Sequence, residues 1–425
     1  MFKQILNTFI TRILSGVLNL LIAIILSNYL GAEGKGVQGL ILTTISIIVI
    51  FSGIVGSGGL TYLLPRMHFS LLIIPCYLWA IINVGIMCVV LRYFDIIPKE
   101  YINDVVFLAL VLSITGINNS ILHAKKLIQQ VNLVSITQVV ITLIVIIYLV
   151  IYKDLISVRS YVIGMYFGCV ISALVSYWYA WKNYTNTLYF FPFHKYFLGI
   201  KNHFKYGGFN QLDILAQLLS FRFAFYILNY YTTTAQVGIY SNAVSLIEAI
   251  WILSRSISFV QHSRIVNSHD KNYTSNLTLQ FIKLSGSIAF VAIIALVVIP
   301  SGVYRYVFGS EFGEIRIALI SLSPGVLFFS ISFIISSYFS GTGKHYLNSI
   351  SSAIGLMIIV ILAFVLIPDY GIVGAGIAAS ASYFTTTVVK IHYFIKLTGI
   401  KFLQLFPVKN DLHNLLKLIR SLKNG

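Results

Sequence analysis

The charges of this chain sort by sign into alternate connections between its apolar runs, and that sorting fixes a topology. Twelve apolar stretches, from residues 13–30 and 39–64 through 209–230 and 237–260 to 347–367 and 372–394, are long enough to cross a bilayer as helices, which takes about 20 residues each. The two ends and the even-to-odd connections, with the helix ends that border them, carry Lys3, Arg12, Arg66, Lys125, Lys126, Lys182, Lys195, Lys201, Lys205, Arg255, Arg264, Lys271, Lys283, Lys344, Lys390, Lys396 and five further cations towards the C-terminus. Only Asp270 and Asp411 oppose them. The odd-to-even connections carry seven cations, Lys35, Arg305 and Arg316 among them, against eight acids. Lys and Arg are retained on the cytoplasmic side during insertion, so both termini are expected there.

At 58% hydrophobic and 10% charged over 425 residues, the chain has too little polar surface for a soluble globule. The expected fold is an all-α polytopic membrane protein with twelve transmembrane helices in two six-helix lobes. A formal charge of +17 does not imply nucleic acid, because the cations sit in short connections rather than on a basic face with interleaved aromatics. Anionic membrane lipids account for them more simply. Cys76, Cys88 and Cys169 all fall inside expected helices without CxxC spacing, so they give no disulfide or metal framework. No small-residue cleavage site follows helix 1, which reads as an uncleaved anchor.

The organisation expected is an N-terminal six-helix lobe over 1–181, a basic cytoplasmic linker over 182–205, a C-terminal six-helix lobe over 206–396 and a basic tail over 397–425. In that tail Leu412, Leu415, Leu416, Ile419 and Leu422 follow helical spacing, the pattern of an amphipathic surface helix. A faint repeat relates the halves. Leu26, Tyr29 and Gly36 recur 202 positions later as Leu228, Tyr231 and Gly238, and Gly164 and Ser172 recur as Gly374 and Ser382. Six helices per half put both halves in the same orientation, with a substrate path between them.

Ionisable groups at membrane depth are costly and face a protein interior or an aqueous cavity. On helix 8, Ser241, Ser245, Glu248, Arg255 and His262 share one side; on helix 7, Asn210, Asp213, Gln217 and Ser220 do. Arg222 is nine residues from Asp213, half a turn round at about 100° per residue, so the two cannot face one cavity. Back-to-back packing would set Asp213 level with Arg255 and Arg222 near Glu248, and two ion pairs stitching the helices are the structural alternative to a cationic cavity wall. Thr8, Arg12, Ser15 and Asn19 align in the first half, where Arg12 also fits a positive-inside anchor. Asn83, Asn118, Asn119 and Gln138 are expected to make interhelical hydrogen bonds. Gly34, Gly36 and Gly39 match GxGxxG but join two membrane helices with no strand before them, so they are no nucleotide loop.

The run Leu30-Gly31-Ala32-Glu33-Gly34-Lys35-Gly36-Val37, the end of helix 2 at Leu64-Pro65-Arg66, the segment Thr234-Ala235-Gln236-Val237-Gly238-Ile239-Tyr240-Ser241, Gly341-Thr342-Gly343-Lys344, and Asp369-Tyr370-Gly371-Ile372-Val373-Gly374-Ala375 together resemble Wzx-type O-antigen and polysaccharide flippases. These belong to the multidrug/oligosaccharidyl-lipid/polysaccharide exporter superfamily, the MATE-like fold. The resemblance spans about the whole chain. It implies a transporter rather than an enzyme, in the bacterial inner membrane, moving undecaprenyl-diphosphate-linked oligosaccharide to the outer leaflet alongside other polysaccharide-assembly proteins. No cofactor is implied beyond a transported coupling ion, H⁺ or Na⁺. The task needs cations for a diphosphate, which Arg binds bidentately, and Arg255, Arg222 and Arg12 are the candidates. Asn210, Gln217, Ser241 and Ser245 are candidates for sugar hydroxyls, and Glu248 or Asp213 for ion coupling. The rivals are a drug/cation antiporter of the same fold, disfavoured by the absence of a buried acid in the first six helices, and a membrane glycosyltransferase or polymerase, disfavoured by the short outer loops.

Overall fold

The computed structural model describes residues 2–94, 96–182, 189–268 and 270–406. The amphipathic segment expected around Leu415 lies outside them. The described residues form helices α1 (Phe2–Ser52), α2 (Ser57–Leu63), α3 (Phe69–Tyr93), α4 (Ile102–Ala124), α5 (Ile128–Ile147), α6 (Val158–Lys182), α7 (Phe193–Tyr231), α8 (Thr234–Val266), α9 (Lys271–Val298), α10 (Ser301–Phe308), α11 (Ile315–Gly341) and α12 (His345–Thr398), with no strand among them. Helices are the form to expect, since lipid offers no partner to a free N–H or C=O and each helix satisfies its own. Hydroxyls obey the same rule by folding back on their own helix: Ser27 donates to the Ala23 carbonyl at 2.7 Å and Thr387 to that of Tyr383 at 2.7 Å.

Ten helical segments are long and apolar enough to cross a membrane, making this a multi-pass membrane protein. Two of them, 57 and 54 residues long, would run to more than about 80 Å if straight, far beyond the roughly 30 Å of a hydrocarbon core. The first is interrupted between α1 and α2 and broken in mid-course at Gly31, and the second is broken at Gly371. Gly31 has φ 68° and ψ −174°, and Gly371 has φ 49° and ψ −125°, positive-φ conformations that side chains with a Cβ avoid. The two breaks turn ten segments into the twelve crossings that hydropathy predicts.

Helices α1 to α6 pack on one another through α1 against α4 and α5, α3 against α4, and α5 against α6. Helices α7 to α12 do so through α12 against α7 and α11, and α11 against α8 and α9. The C-terminal lobe has an aromatic centre: Trp251 lies with its ring centroid 4.9 Å from Phe221, 5.3 Å from Phe329 and 5.5 Å from Tyr383, spacings at which aromatic pairs add to plain burial. One element differs from expectation. Residues 193–205, read as linker, are helical and continuous with α7, because this extension lies on α2 and α3 of the other lobe. His203 is buried in that contact with Cys76 Sγ 3.6 Å from its Nε2, and burial pushes its imidazole down to about 4, leaving it neutral.

The lobes meet along the length of α1 and α8, from Arg12 over Phe259 at the cation-rich end to the end where acids balance cations. There Asn242 donates to Ser27 Oγ at 2.7 Å, and the Ala32 N–H donates to Glu311 Oε2 at 2.6 Å. Gly36 and Gly238, aligned by the repeat, sit in this seam. A methyl group on Gly36 would fall 1.9 Å from the Thr234 carbonyl oxygen, and one on Gly238 would fall 1.9 Å from that of Ala32. Residues 32 and 234, like 36 and 238, are 202 apart, so the contact is reciprocal about a pseudo-twofold axis. At the opposite end Gln211 spans the lobes, donating to the Ile50 carbonyl at 3.0 Å and accepting from Ser57 at 3.1 Å.

Because neither backbone can yield to a Cβ, Gly238→Val is expected to wedge the seam apart. In a protein freed of its three cysteines and carrying Ser245→Cys, a membrane-impermeant maleimide added from the acid-bearing face should label the Gly238→Val form several-fold faster than its parent. Equal rates would show that the seam tolerates the side chain.

Candidate functional site

Between the lobes lies a cavity of about 1070 Å³, lined from α1, α4, α5 and α6 on one side and α7 and α8 on the other. It is large even by the standard of small-molecule sites, which occupy roughly 300 to 1,000 Å³. The polar residues of α1 reach it as their spacing requires. Thr8, Arg12, Ser15 and Asn19 all line it, and past the break at Gly31 so do Lys35, Gln38, Thr43 and Ser46. From α8 come Ser241, Ser245, Glu248 and Arg255, but not His262; from α7 come Leu218, Arg222 and Phe225.

The lining carries Arg12, Lys35, Arg222 and Arg255 against Glu248 alone, a surplus of three positive charges. Arg222 Nη2 stands 2.7 Å from Glu248 Oε1, their side chains 16% and 33% exposed. The two sequence alternatives therefore coincide here, since this ion pair stitches α7 to α8 and also forms part of the wall. The second expected pair is absent. Arg255 lies over the Phe333 ring at 4.9 Å, and Asp213 accepts instead from Ser352 Oγ at 2.6 Å. Arg12 lies over Phe259 at 5.3 Å and Arg222 over Phe225 at 5.2 Å, so every arginine of the cavity has an aromatic face beneath it.

Gln217 is a correction. It is not among the lining residues, because with Arg222 facing inwards a residue five positions earlier is turned about 140° away at 100° per residue. Asp213 and Ser220 are likewise outside the lining, on the α12 side of α7. The side chain of Asn210 lies outside the described residues. Asn83 and Asn118 act as interhelical ties, Asn83 donating to the Ile48 carbonyl at 3.0 Å and Asn118 to Ser176 Oγ at 3.0 Å. Gln138 also ties α5 to α6, donating to Cys169 Sγ at 3.7 Å, while lining the cavity; Asn119 lines it without such a tie, and its buried Oδ1 has no hydrogen-bond partner among the described residues.

Two buried cations escaped the sequence reading. Lys35, assigned to an outer connection, is 3% exposed and donates to Gln38 Oε1 at 2.6 Å. Its signal was the stripe Lys35, Gln38, Thr43 and Ser46 on the second arm of α1. Lys390, assigned to a cytoplasmic helix end, is fully buried inside the C-terminal lobe, donating to Ser332 Oγ at 3.0 Å and Ser336 Oγ at 2.7 Å. No periodicity distinguished it from a terminal anchor.

Twelve crossings in two lobes about a polar cleft define a two-lobe membrane transporter fold. No family model matches the chain. In sequence it is similar to the capsular polysaccharide biosynthesis protein CapF of Staphylococcus aureus, 29% identical over 167 residues, covering 38% of this chain and 41% of that protein. It is also similar to the "Probable low-salt glycan biosynthesis flippase Agl15" of Haloferax volcanii, 26% identical over 179 residues, covering 41% and 38%. The chain thus spans about two fifths of the length of the curated relatives it matches. In structure it resembles the lipid II flippase MurJ in an inward closed conformation, with a TM-score of 0.73 at 16% identity over 98% of this chain and 91% of that one. It resembles an inward-facing MATE family multidrug resistance transporter with a TM-score of 0.72 at 15% identity over 92% and 98%. The chain has the fold of the multidrug/oligosaccharidyl-lipid/polysaccharide exporter superfamily; by name Agl15 and MurJ are flippases and the MATE protein is a transporter.

Glu248→Gln is expected to lower the melting temperature of the purified protein, since it leaves Arg222 facing only other cations. Both side chains touch cavity water, so the coupling in a double-substitution cycle with Arg222→Gln should be about 1 kcal/mol. A cycle without coupling would mean that solvent already screens the pair.

Proposed function

We propose that the protein is a flippase that carries an undecaprenyl-diphosphate-linked oligosaccharide repeat unit from the cytoplasmic to the outer leaflet of a bacterial inner membrane, for O-antigen, capsule or exopolysaccharide assembly. The observation that carries this reading is the surplus of positive charge in a cavity of sugar-accommodating size between the lobes. Surplus cations in a low-dielectric cleft need an anion, and a diphosphate supplies two charges to guanidinium forks that match its oxygens. Around them Ser15, Asn19, Gln38, Asn119, Asn132, Ser135, Gln138, Ser241 and Ser245 offer donors and acceptors suited to sugar hydroxyls. The lipid tail would stay in the bilayer while the headgroup crosses.

The names of the sequence relatives support this reading, and the charge sorting supports a cytoplasmic position for the cation-rich end and both termini. The drug/cation antiporter is the alternative that the MATE neighbour keeps in view. A cationic drug would meet a positive wall whose one acid, Glu248, is already bonded to Arg222, which favours the anionic cargo. Glu248, in the cavity wall, is the carboxylate we assign to coupling with H⁺ or Na⁺, and Asp213, bonded to Ser352 outside the lining, is the alternative.

Arg255→Ala and Arg12→Ala are each expected to reduce export of surface polysaccharide at least tenfold in a strain lacking the native gene, with the protein still inserted and lipid-linked units accumulating on the cytoplasmic leaflet. Normal export in both variants would remove the proposal. Sensitivity to cationic dyes with intact polysaccharide would establish the antiporter.

A further inference from the structure

The three arginines leave one cavity cation unexplained. Lys35 is 3% exposed yet lines the cleft, and among the described residues its hydrogen-bond partner is Gln38 Oε1 alone. An ammonium has three N–H donors, so two remain unspent, and no carboxylate among the described residues stands within ion-pair distance. Arg222, in the same lining, adds a second positive charge to this cavity. Burying a cation beside another with no acid in contact is unfavourable unless an anion visits the place.

Depth gives that place a meaning. Counting 1.5 Å per residue from the Gly31 break and the equivalent α7–α8 junction, Lys35 lies about 6 Å from the acid-bearing end, Arg222 about 14 Å, Arg12 about 28 Å and Arg255 about 32 Å. The cations thus form two stations, one towards the cation-rich end and one towards the acid-bearing end, with Glu248 between them at about 21 Å. The nearest to the acid-bearing end, Lys35, is the chain neighbour of Gly36, whose backbone is pressed against Thr234 in the seam.

We propose that Lys35, with Arg222, forms a second diphosphate station at the acid-bearing end of the cavity, receiving the anion after Arg12 and Arg255 and holding it against the seam that must part to release it. The proposal rests on the flippase reading for the identity of the anion. Arg222 meets Glu248 through Nη2 alone, which leaves Nη1 and Nε donors free for the diphosphate.

The test uses the full chain with a fluorescent polyprenyl diphosphate, measuring binding in detergent and translocation in proteoliposomes by chemical quenching of the outer leaflet. Lys35→Gln is expected to keep binding within threefold of the parent and lose at least tenfold in translocation rate, with Lys35→Arg restoring it. Arg255→Ala should lose binding itself. Translocation at the parent rate in Lys35→Gln overturns the proposal, as does a loss of binding as deep as that of Arg255→Ala, which would make all the cations one site. If the parent protein neither binds nor moves the probe, the flippase reading falls and takes Lys35 with it. Should Lys35→Gln fail to accumulate in the membrane, Gln38→Glu neutralises the ammonium in place and carries the same expectation.

Discussion

A positive charge that is held but not cancelled is the interaction on which this structure turns. Of the three cavity arginines Arg222 alone has a carboxylate partner among the described residues, Glu248; one beside each would make the cavity stable and inert. Aromatic faces do something different: a ring quadrupole attracts a guanidinium and fixes its plane while leaving the net charge intact. Phe259, Phe225 and Phe333 lie beneath Arg12, Arg222 and Arg255, and Phe333 in turn sits 5.8 Å from Trp251 within the aromatic centre of the C-terminal lobe. The positions of the cations are thus set by rigid packing, and their field stays available to whatever enters.

Neutral polar groups divide the remaining work. Those deep in the lobes close on partners, as Asn83 does on Ile48 and Asn118 on Ser176, and they fasten helix to helix. In the cleft, Asn119 keeps an Oδ1 with no partner among the described residues. An oxygen left without a partner inside protein is unfavourable, and a hydroxyl-rich headgroup relieves that condition. Lys390 belongs to the first group in spite of its charge, held by two serines within one lobe.

Much of this was legible before any coordinates. Run length and charge sorting gave the crossings, because a bilayer imposes a fixed length and a sign rule that soluble folds lack. The half-turn between Asp213 and Arg222 correctly separated their surroundings, since helical phase is a property of one segment. What periodicity does not contain is which neighbour a face meets. Gln217 shares a face with Asp213, and only the packing of α7 on α12 turned that face from the cavity. Lys35 was hidden by the bend at Gly31. A helix that resumes immediately after a single glycine puts a residue four positions later back inside the membrane, where a connection of ordinary length would have left it in solvent.

The seam at Gly36 and Gly238 has a mechanical consequence. Its two sides are interchangeable, each a glycine lying under the carbonyl oxygen four residues before its counterpart in the other lobe. A joint of that kind assigns neither half the part of lever or of fulcrum. Whatever rotation opens it distributes evenly, so a stiffening change in either lobe should slow the motion of both.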